Sequence, residues 1–436
     1  MSKKTKKAPR LLKNNVTHLD PILRVGLRVI AIWNLIAIVV VGIVLYFNRS
    51  SPIYASSFAD FQRRDLVSVL VQGNFGNPYS YHSEIPFLNS QPYLPLPFLL
   101  LDFFKIKVTE FNPNLAFVQI WMVFLIAPFV YIFWRILGKI KRVDKFIILA
   151  SLVVFTVPTM YIFSTGNIQG LIQSAALISF LTLANTNLEN TKSFLSTFII
   201  VATKPQYVLF NAYQAIFMRK KYYLFLLSIV SAVTISIFGF YHYPTTALLN
   251  FNYWKKSLVA FVNPDPAYIV HNNASVIGNL TAIETFFFPK NFNNLFTYQY
   301  RNIIILVILL IVGLLLFRIW KIESMHWIKI WLIGGIPIFL TPVSYAYNLG
   351  LLLIPIGMFF AASTQSQDAI ILVNKSIYLK ILMLLTFFLL FAPKPWHVVL
   401  ITGVADTNLF TMLDSFSYLL VIVIGWNLRK KITSQN

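Results

Sequence analysis

Charged residues meet in the polar segment that follows the first apolar run of the chain. Asp60 is followed closely by Arg63 and Arg64, and then by Asn77-Pro78-Tyr79. A carboxylate can remove a proton from an acceptor hydroxyl as a general base, and a guanidinium can offset the charge of a phosphate leaving group. These residue types predict a transferase site at a membrane surface. The alternative is a solvated interfacial patch in which the same side chains only face water.

A lysine interrupts an apolar stretch further along the chain. Lys204-Pro205-Gln206 separates the apolar segments 193–203 and 207–218. As a helix, each segment is about 18 Å long, which is too short to cross about 30 Å of hydrocarbon. The pattern predicts a re-entrant hairpin with its tip at membrane depth. Because a lysine facing lipid is costly, Lys204 is expected to face protein or water. It then either contacts a lipid-linked phosphate or only binds carbonyl groups at the break.

Amides and histidines supply further candidates. Gly166-Asn167-Ile168-Gln169 is predicted to open a helix. The free N–H groups of that helix, together with the side-chain amides of Asn167 and Gln169, could bind an anion or a sugar hydroxyl. Such residues also cap helices routinely, which is the alternative. His242 and His271 are candidate phosphate contacts, although a loop histidine often has no special role.

The sequence lacks the spacing of a metal centre. Its six histidines are scattered, and it contains no cysteine. The absence of cysteine excludes a disulfide, a thiolate nucleophile and a cysteine-based metal site. We expect no metal centre and no cofactor, and leave open a divalent cation held by one or two carboxylates.

Composition predicts a membrane protein. Hydrophobic residues make up 57% of the 436 residues and charged residues 11%, whereas a soluble domain carries about 25% charged residues. The mean hydropathy is +0.70. The net charge of +22 comes from lysines and arginines between the apolar runs, where they act as orientation signals and contact anionic lipids. We therefore expect the lipid bilayer, and not nucleic acid, as the partner of this charge.

The expected fold is an all-α polytopic bundle of about ten full spans plus the hairpin, with interfacial helices in the first external loop. Apolar runs of spanning length predict crossings at residues 25–47, 114–137, 146–163, 168–184, 222–240, 302–316, 327–340, 348–361, 377–391 and 412–426. The short apolar run 93–104 predicts a juxtamembrane helix. The run after Arg24 is too long for a cleaved signal peptide.

This layout divides the chain into four parts. Residues 1–24 form a basic cytoplasmic tail, and residues 25–241 form a catalytic transmembrane module that includes the external loop 48–113. Residues 242–301 form a second external loop, and residues 302–436 form the C-terminal transmembrane helices. Both termini are expected in the cytoplasm and both long polar loops on the outer face.

Four motifs occur in an order that resembles the GT-C superfamily of polyprenyl-phosphate-sugar-dependent glycosyltransferases, closest to its family eighty-seven, the α-mannosyltransferase-like branch. The motifs span residues 25–241 and are Asp60-Phe61 with Gly73 and Pro78-Tyr79, then Tyr93-Leu94-Pro95-Leu96-Pro97, then Gly166-Asn167-Ile168-Gln169, then Lys204-Pro205. The chain departs from the family in three places. Arg63-Arg64-Asp65 replaces an aromatic pair, Leu94 replaces the first proline of Tyr-Pro-Pro, and Asn167 and Gln169 exchange places in Gly-Gln-x-Asn.

The resemblance implies an inverting transfer of a hexose or pentose, with mannose favoured. The donor is a polyprenyl-phosphate sugar, and the acceptor is a glycolipid or polysaccharide on the outer face of a bacterial plasma membrane. In this scheme Asp60 deprotonates the acceptor, while Lys204 and His271 hold the donor phosphate. The remaining substrate contacts that we expect are Arg63, Arg64, Tyr79, Tyr93, Asn167 and Gln169. Such donors need no nucleotide and often no metal.

Three other functions compete with this interpretation. A transporter or flippase of a lipid-linked saccharide would use a similar basic, aromatic-rich cavity, but the chain has long external loops and no visible inverted repeat. A scaffold protein would have no reason to keep Lys204 inside an apolar hairpin. An inactive relative of the transferases is the third alternative, because Arg63-Arg64 departs from the family pattern.

Overall fold

The computed structural model describes most of the apolar part of the chain. The described residues are 18–47, 94–103, 115–138, 140–165, 169–184, 190–213, 222–243, 245–262, 274–287, 295–341, 344, 346–363, 368–392, 398–399, 406–407 and 413–434. Much of the first predicted loop lies outside them.

The described residues form helices almost throughout. The helices of the first part are α1 (Pro21–Phe47), α2 (Leu96–Phe103), α3 (Leu115–Ile136), α4 (Arg142–Leu149), α5 (Val157–Thr165), α6 (Gln169–Ala184), α7 (Asn190–Thr203), α8 (Val208–Tyr213) and α9 (Tyr222–His242). Those of the second part are α10 (Ala247–Val262), α11 (Val276–Phe287), α12 (Phe296–Gln299), α13 (Arg301–Ile319), α14 (His326–Phe339), α15 (Leu353–Ser363), α16 (Asp368–Lys375), α17 (Ile377–Phe391) and α18 (Phe416–Thr433). Among the described residues, one antiparallel pair of two-residue strands departs from the all-α fold that we expected: β1 (Val398–Val399) and β2 (Asp406–Thr407).

Three helices in the described part of the chain are long and apolar enough to cross a membrane. They are Pro21–Val40 within α1, Tyr222–His242 and Arg301–Ile319. Shorter apolar helices include Val123–Ile136, Thr191–Thr203, Asn348–Ala361 and Ile377–Phe391. These helices indicate an integral membrane protein. The total of about ten crossings stays a prediction, as do the membrane type and the side on which the termini lie.

Ion pairs fix which helices begin at the same end of the bundle. Asp144, at the start of α4, accepts hydrogen bonds from the backbone N–H of Leu19 at 3.1 Å and from Arg24 Nη2 at 2.9 Å. Lys380, near the start of α17, donates to Asp20 Oδ2 at 2.8 Å. Helices α4 and α17 therefore begin beside the start of α1, at what we call the Asp20 end. The opposite end is the far end.

A break divides the predicted span 146–163 into α4 and α5. Residues Ala150–Val154 form a π-helical turn between them. A π-helical turn leaves carbonyl groups without their usual partners, and side chains bind them here. Asn34 Nδ2 donates to the Ser151 carbonyl at 3.0 Å, and the hydroxyls of Thr156 and Thr159 donate to the Val153 carbonyl at 3.1 and 2.5 Å. The predicted crossing at residues 146–163 is therefore interrupted and is not one continuous α-helix.

The core is built around α14. Gly335 packs against the ring of Tyr418 on α18, whose hydroxyl donates to the Leu332 carbonyl at 2.6 Å. Gly425, two turns further along α18, faces Ile328. The order of these contacts shows that α14 and α18 are antiparallel neighbours. The large rings of α14 also stack on α15 and α17, through Trp327 with Phe359 and Trp331 with Phe387.

Candidate functional site

The predicted break at Lys204 is present, and the chain reverses direction there. Helix α7 ends at Thr203, and a 3₁₀ turn, Pro205–Tyr207, leads into α8. Pro205 has no N–H to continue the helical pattern. The side-chain amide of Asn211 donates to the hydroxyl of Thr197 at 3.3 Å, which brings the two arms together across the break. Both arms belong to one hairpin, as predicted from the sequence.

Lys204 is 8% exposed and lies below the far end of the bundle. The first turns of α7 and α9 are neighbours, because Ser228 Oγ donates to the Phe194 carbonyl at 3.2 Å. Near the break, Ala202 packs against Ala232 of α9. Ala232 precedes the last residue of α9 by ten residues, so Lys204 lies about two helical turns short of the end of α9. This agrees with a hairpin tip at membrane depth and with a lysine that faces protein.

The first predicted loop returns to the bundle beside this break. Leu96, the first residue of α2, packs in the cluster that contains Val201 and Ala202. Its neighbour Pro95 lies against α9, where a Cβ on Gly239 would be 2.2 Å from the Cβ of Pro95. Only a glycine permits this approach. The chain that leaves the polar segment 48–93 is thus packed in the same cluster as Val201 and Ala202, which lie three and two residues before Lys204.

Gly166, Asn167 and Ile168 of the amide motif lie outside the described residues, and its last residue, Gln169, lies in a helix. This helix carries a second amide that sequence reasoning missed. Helix α6 begins at Gln169, and Gln173 lies one turn later, 1% exposed. Gln173 lies eleven residues before the end of α6, and Val201 lies eleven residues after the start of α7. Because α6 and α7 are packed neighbours joined by five residues, Gln173 and Val201 lie at about the same depth.

Gln173 contacts a 3₁₀ turn, Ala346–Leu352. A Cβ on Gly350 would be 2.2 Å from Gln173 Nε2. The absence of a side chain at Gly350 therefore leaves the space that the Gln173 amide occupies. Asn348, two residues earlier, is 7% exposed and donates to Ser344 Oγ at 3.2 Å. Its Oδ1 has no hydrogen-bond partner within the part of the chain that the structure describes. The polar Gln173 in an otherwise apolar run, four residues after Gln169, is the sequence signal that could have identified this contact.

The predicted second external loop, residues 242–301, contacts the residues that lead into the same turn. The backbone N–H of Ala274 donates to the Ser344 carbonyl at 2.6 Å. Ala274 is three residues after His271, so the chain that carries this histidine is anchored beside Asn348. The other candidate histidine, His242, ends α9, where its ring lies 5.2 Å from the ring of Tyr243.

Most of the predicted site residues lie outside the described residues. These are Asp60, Arg63, Arg64, Tyr79, Tyr93, Asn167 and His271, and their roles stay predictions. The structure brings the flanks of their segments towards Lys204 and Gln173. It also adds Gln173, Ser344, Asn348 and Gly350 to the candidates.

The buried groups can bind oxygen-rich ligands. An ammonium group in a low-dielectric site attracts a phosphate strongly, and side-chain amides both donate to and accept from hydroxyl groups. Among the described residues no group of three acidic, histidine or cysteine side chains is arranged to hold a metal ion. The expectation that no cofactor is needed stays untested.

Comparisons with protein-family models, with curated proteins and with solved structures found no match to this chain. The resemblance to the GT-C glycosyltransferases therefore rests on the motifs alone.

Proposed function

We propose that the protein is an integral membrane glycosyltransferase that takes a sugar from a polyprenyl-phosphate donor. One observation carries the proposal: the chain leaving the segment that contains Asp60 is packed against the break that contains the buried Lys204. A general base and a cation for the leaving phosphate are the two groups that such a transfer needs. The packing of Leu96 near Val201 supports the placement of Asp60 and Lys204 in one cleft.

In the proposed reaction Asp60 removes the proton from an acceptor hydroxyl. The acceptor oxygen then forms a bond to the anomeric carbon, and the bond from that carbon to the lipid phosphate oxygen breaks with inversion. Lys204 offsets the negative charge that the departing lipid phosphate gains. The products are a glycosylated lipid or polysaccharide and a polyprenyl phosphate. We propose the outer face of a bacterial plasma membrane as the location, with mannose as the favoured sugar.

The testing experiment measures transfer by the purified protein in lipid vesicles. Vesicles contain a polyprenyl-phosphate sugar with a radiolabel in the sugar, and envelope glycolipids serve as acceptors. The Asp60→Asn variant should lose transfer completely, because an amide cannot accept the proton. The matched control is Asp65→Asn, which removes a carboxylate from the same segment and should keep activity. Full activity of Asp60→Asn would reject Asp60 as the base.

A second variant pair tests the phosphate contact. Lys204→Met should raise the donor concentration needed for half-maximal rate about ten- to hundredfold, since a hydrogen bond to a charged group is lost. The control Lys192→Met removes an exposed lysine at the start of α7 and should leave donor use unchanged. Equal donor dependence of both variants would remove Lys204 from the site.

A transporter of lipid-linked saccharides is the second candidate function. Two interruptions favour it, the π-helical turn between α4 and α5 and the break between α7 and α8, since transporters build their sites from broken helices. The same vesicles distinguish the two functions. A transporter would move the intact labelled lipid between leaflets without forming any new glycoside, and Asp60→Asn would not stop it.

A further inference from the structure

Helix α10 carries an exposed face that mixes apolar side chains with lysines. Leu248 is 70% exposed, Val259 is 47% exposed and Phe251 is 41% exposed. Lys255 and Lys256 are exposed on the same helix, which contains no acidic residue. Apolar groups of this size are unfavourable in water, and their arrangement with lysines on one helix is typical of helices that lie in a membrane interface.

The orientation of α10 is fixed by its junction with α9. Asn250 is fully buried, and its Nδ2 donates to the Phe240 carbonyl at 2.8 Å. The Phe240 ring lies 6.2 Å from the ring of Trp254 and 5.9 Å from that of Phe251. These contacts hold one face of α10 against the end of α9, with the partly exposed Phe251 at the edge of that face. The opposite face, with its lysines, is held outward.

The depth of α10 follows from the length of α9. Helix α9 has 21 residues and is one of the three candidate spans among the described residues. A helix of this length is about 31 Å long, which is the full thickness of the hydrocarbon layer. Since only four residues separate the end of α9 from the start of α10, α10 begins at the membrane surface. The bilayer is therefore what covers its exposed apolar side chains.

An open groove on α10 has mostly apolar walls, and four of the residues that line it carry hydrogen-bond donors. Its volume is about 420 Å³, and its lining consists of Leu249, Asn252, Tyr253, Lys255, Lys256 and Val259. Two ammonium groups, an amide and a phenol suit the oxygen atoms of a phosphate diester. Leu249 and Val259 suit the first carbons of acyl chains. A zwitterionic headgroup would bring a second cation towards the two lysines.

We propose that the α10 groove binds the headgroup of an anionic phospholipid of the surrounding bilayer, with its phosphate between Lys255 and Lys256. The lipid is a bound partner of the fold and not a substrate. The proposal does not depend on sugar transfer, so it can be confirmed or rejected whether or not the protein is a glycosyltransferase.

The test uses a fluorescent probe beside the groove. Because the chain contains no cysteine, Leu248→Cys introduces a single site for an environment-sensitive dye at an exposed position of α10 that does not line the groove. The labelled full-length protein is placed in nanodiscs of phosphatidylcholine with increasing fractions of brominated phosphatidylglycerol, which quenches the dye on contact. A parallel series uses brominated phosphatidylcholine. A Ser434→Cys protein, labelled at the exposed end of α18, reports quenching that does not depend on the groove.

We expect phosphatidylglycerol to quench the Leu248→Cys dye at a much lower fraction than phosphatidylcholine does. Changing Lys255→Gln and Lys256→Gln should raise the half-quenching fraction of phosphatidylglycerol about fivefold for each lysine, the effect of one basic residue at an anionic surface. The adjacent pair Lys430→Gln and Lys431→Gln removes the same charge from α18 and should change nothing.

Three results would overturn the proposal. Equal quenching by the two lipids would show that the groove does not select charge. A dye emission typical of water would show that α10 does not lie in the interface. Protection of the dye by millimolar inorganic phosphate would show a site for free phosphate instead of a lipid. The substituted side chains are exposed or partly exposed, so an unchanged thermal unfolding midpoint is expected and verifies that each protein is folded.

Discussion

The side-chain amide of Asn211 donates a hydrogen bond of 3.3 Å to the hydroxyl of Thr197, fourteen residues earlier in the chain. In a continuous helix these residues would be about 21 Å apart along the axis. The bond therefore exists only because the chain doubles back at Lys204-Pro205. It holds the two arms of the hairpin together, and with them the depth at which the lysine lies.

The first prediction concerns this bond. Thr197→Val keeps the volume but removes the hydroxyl, and Asn211→Ala removes the amide. Each variant should lower the free energy of unfolding by about 1 kcal/mol. The double variant should lose less than the sum, with a coupling of at least about 0.5 kcal/mol. Thermal unfolding in detergent measures the effects. Thr234→Val, at an exposed position of α9, is the control, and strictly additive losses would argue against the cross-arm bond.

The second prediction concerns the close approach of α9 and the chain before α2. Gly239→Ala places a Cβ 2.2 Å from the Cβ of Pro95, which neither backbone can accept without moving. We expect a loss of about 1–3 kcal/mol in the free energy of unfolding and faster amide hydrogen exchange in residues 94–103. In Gly313→Ala the new methyl group meets nothing within 4 Å, so this variant should be neutral or slightly stabilising. Unchanged exchange in Gly239→Ala would contradict the packing described.

The third prediction separates packing from chemistry at Gln173. Gly350→Ala forces the Gln173 amide out of its position, because the new Cβ would lie 2.2 Å from Nε2. Both stability and sugar transfer should fall. Adding Gln173→Ala relieves the clash, so the double variant should recover stability but not transfer. Unfolding midpoints and transfer rates of the three proteins decide this. Recovery of full transfer would mean that Gln173 only fills space.

The fourth prediction concerns the ion pair at the Asp20 end. Lys380 is 6% exposed, and its Nζ lies 2.8 Å from Asp20 Oδ2. Lys380→Met leaves the carboxylate without its cation and should cost about 1–3 kcal/mol. Asp20→Asn together with Lys380→Met should cost less than the sum of the single changes. Lys375→Met, at an exposed position of α16, provides the comparison. An additive double variant would show that the pair contributes no coupling.

Sequence patterns predicted those features of the fold that are determined by residues close to them in the chain. The hairpin break was predictable because Lys204 and Pro205 both oppose a continuous apolar helix, and the short helix α2 was predictable from the apolar run before Lys105. The helical conformation of residues 169–184 was predictable from the apolar run there. In each case the responsible residues lie within one or two turns of the feature.

Features caused by distant contacts were not predictable from the sequence. The π-helical turn at Ala150–Val154 depends on Asn34, more than one hundred residues earlier, which binds the Ser151 carbonyl. The contact of Gln173 with Gly350 joins segments with no shared pattern. Helix α10 was assigned to a polar loop because its lysines and asparagines mask an apolar face. For the candidate site, sequence named Lys204 and Gln169 but could not find Asn348.

The partners of α1 also constrain the order of assembly in the cell. The Asn34 amide emerges from the ribosome 117 residues before the Ser151 carbonyl that it binds, and Asp20 emerges 360 residues before Lys380. During synthesis the first helix therefore enters the bilayer with a polar side chain that has no native acceptor. The ion pair that anchors its first turn forms only when translation is nearly finished. A chain truncated before α17 would therefore lack the partner of Asp20, and cellular quality control could recognise the uncovered side of α1.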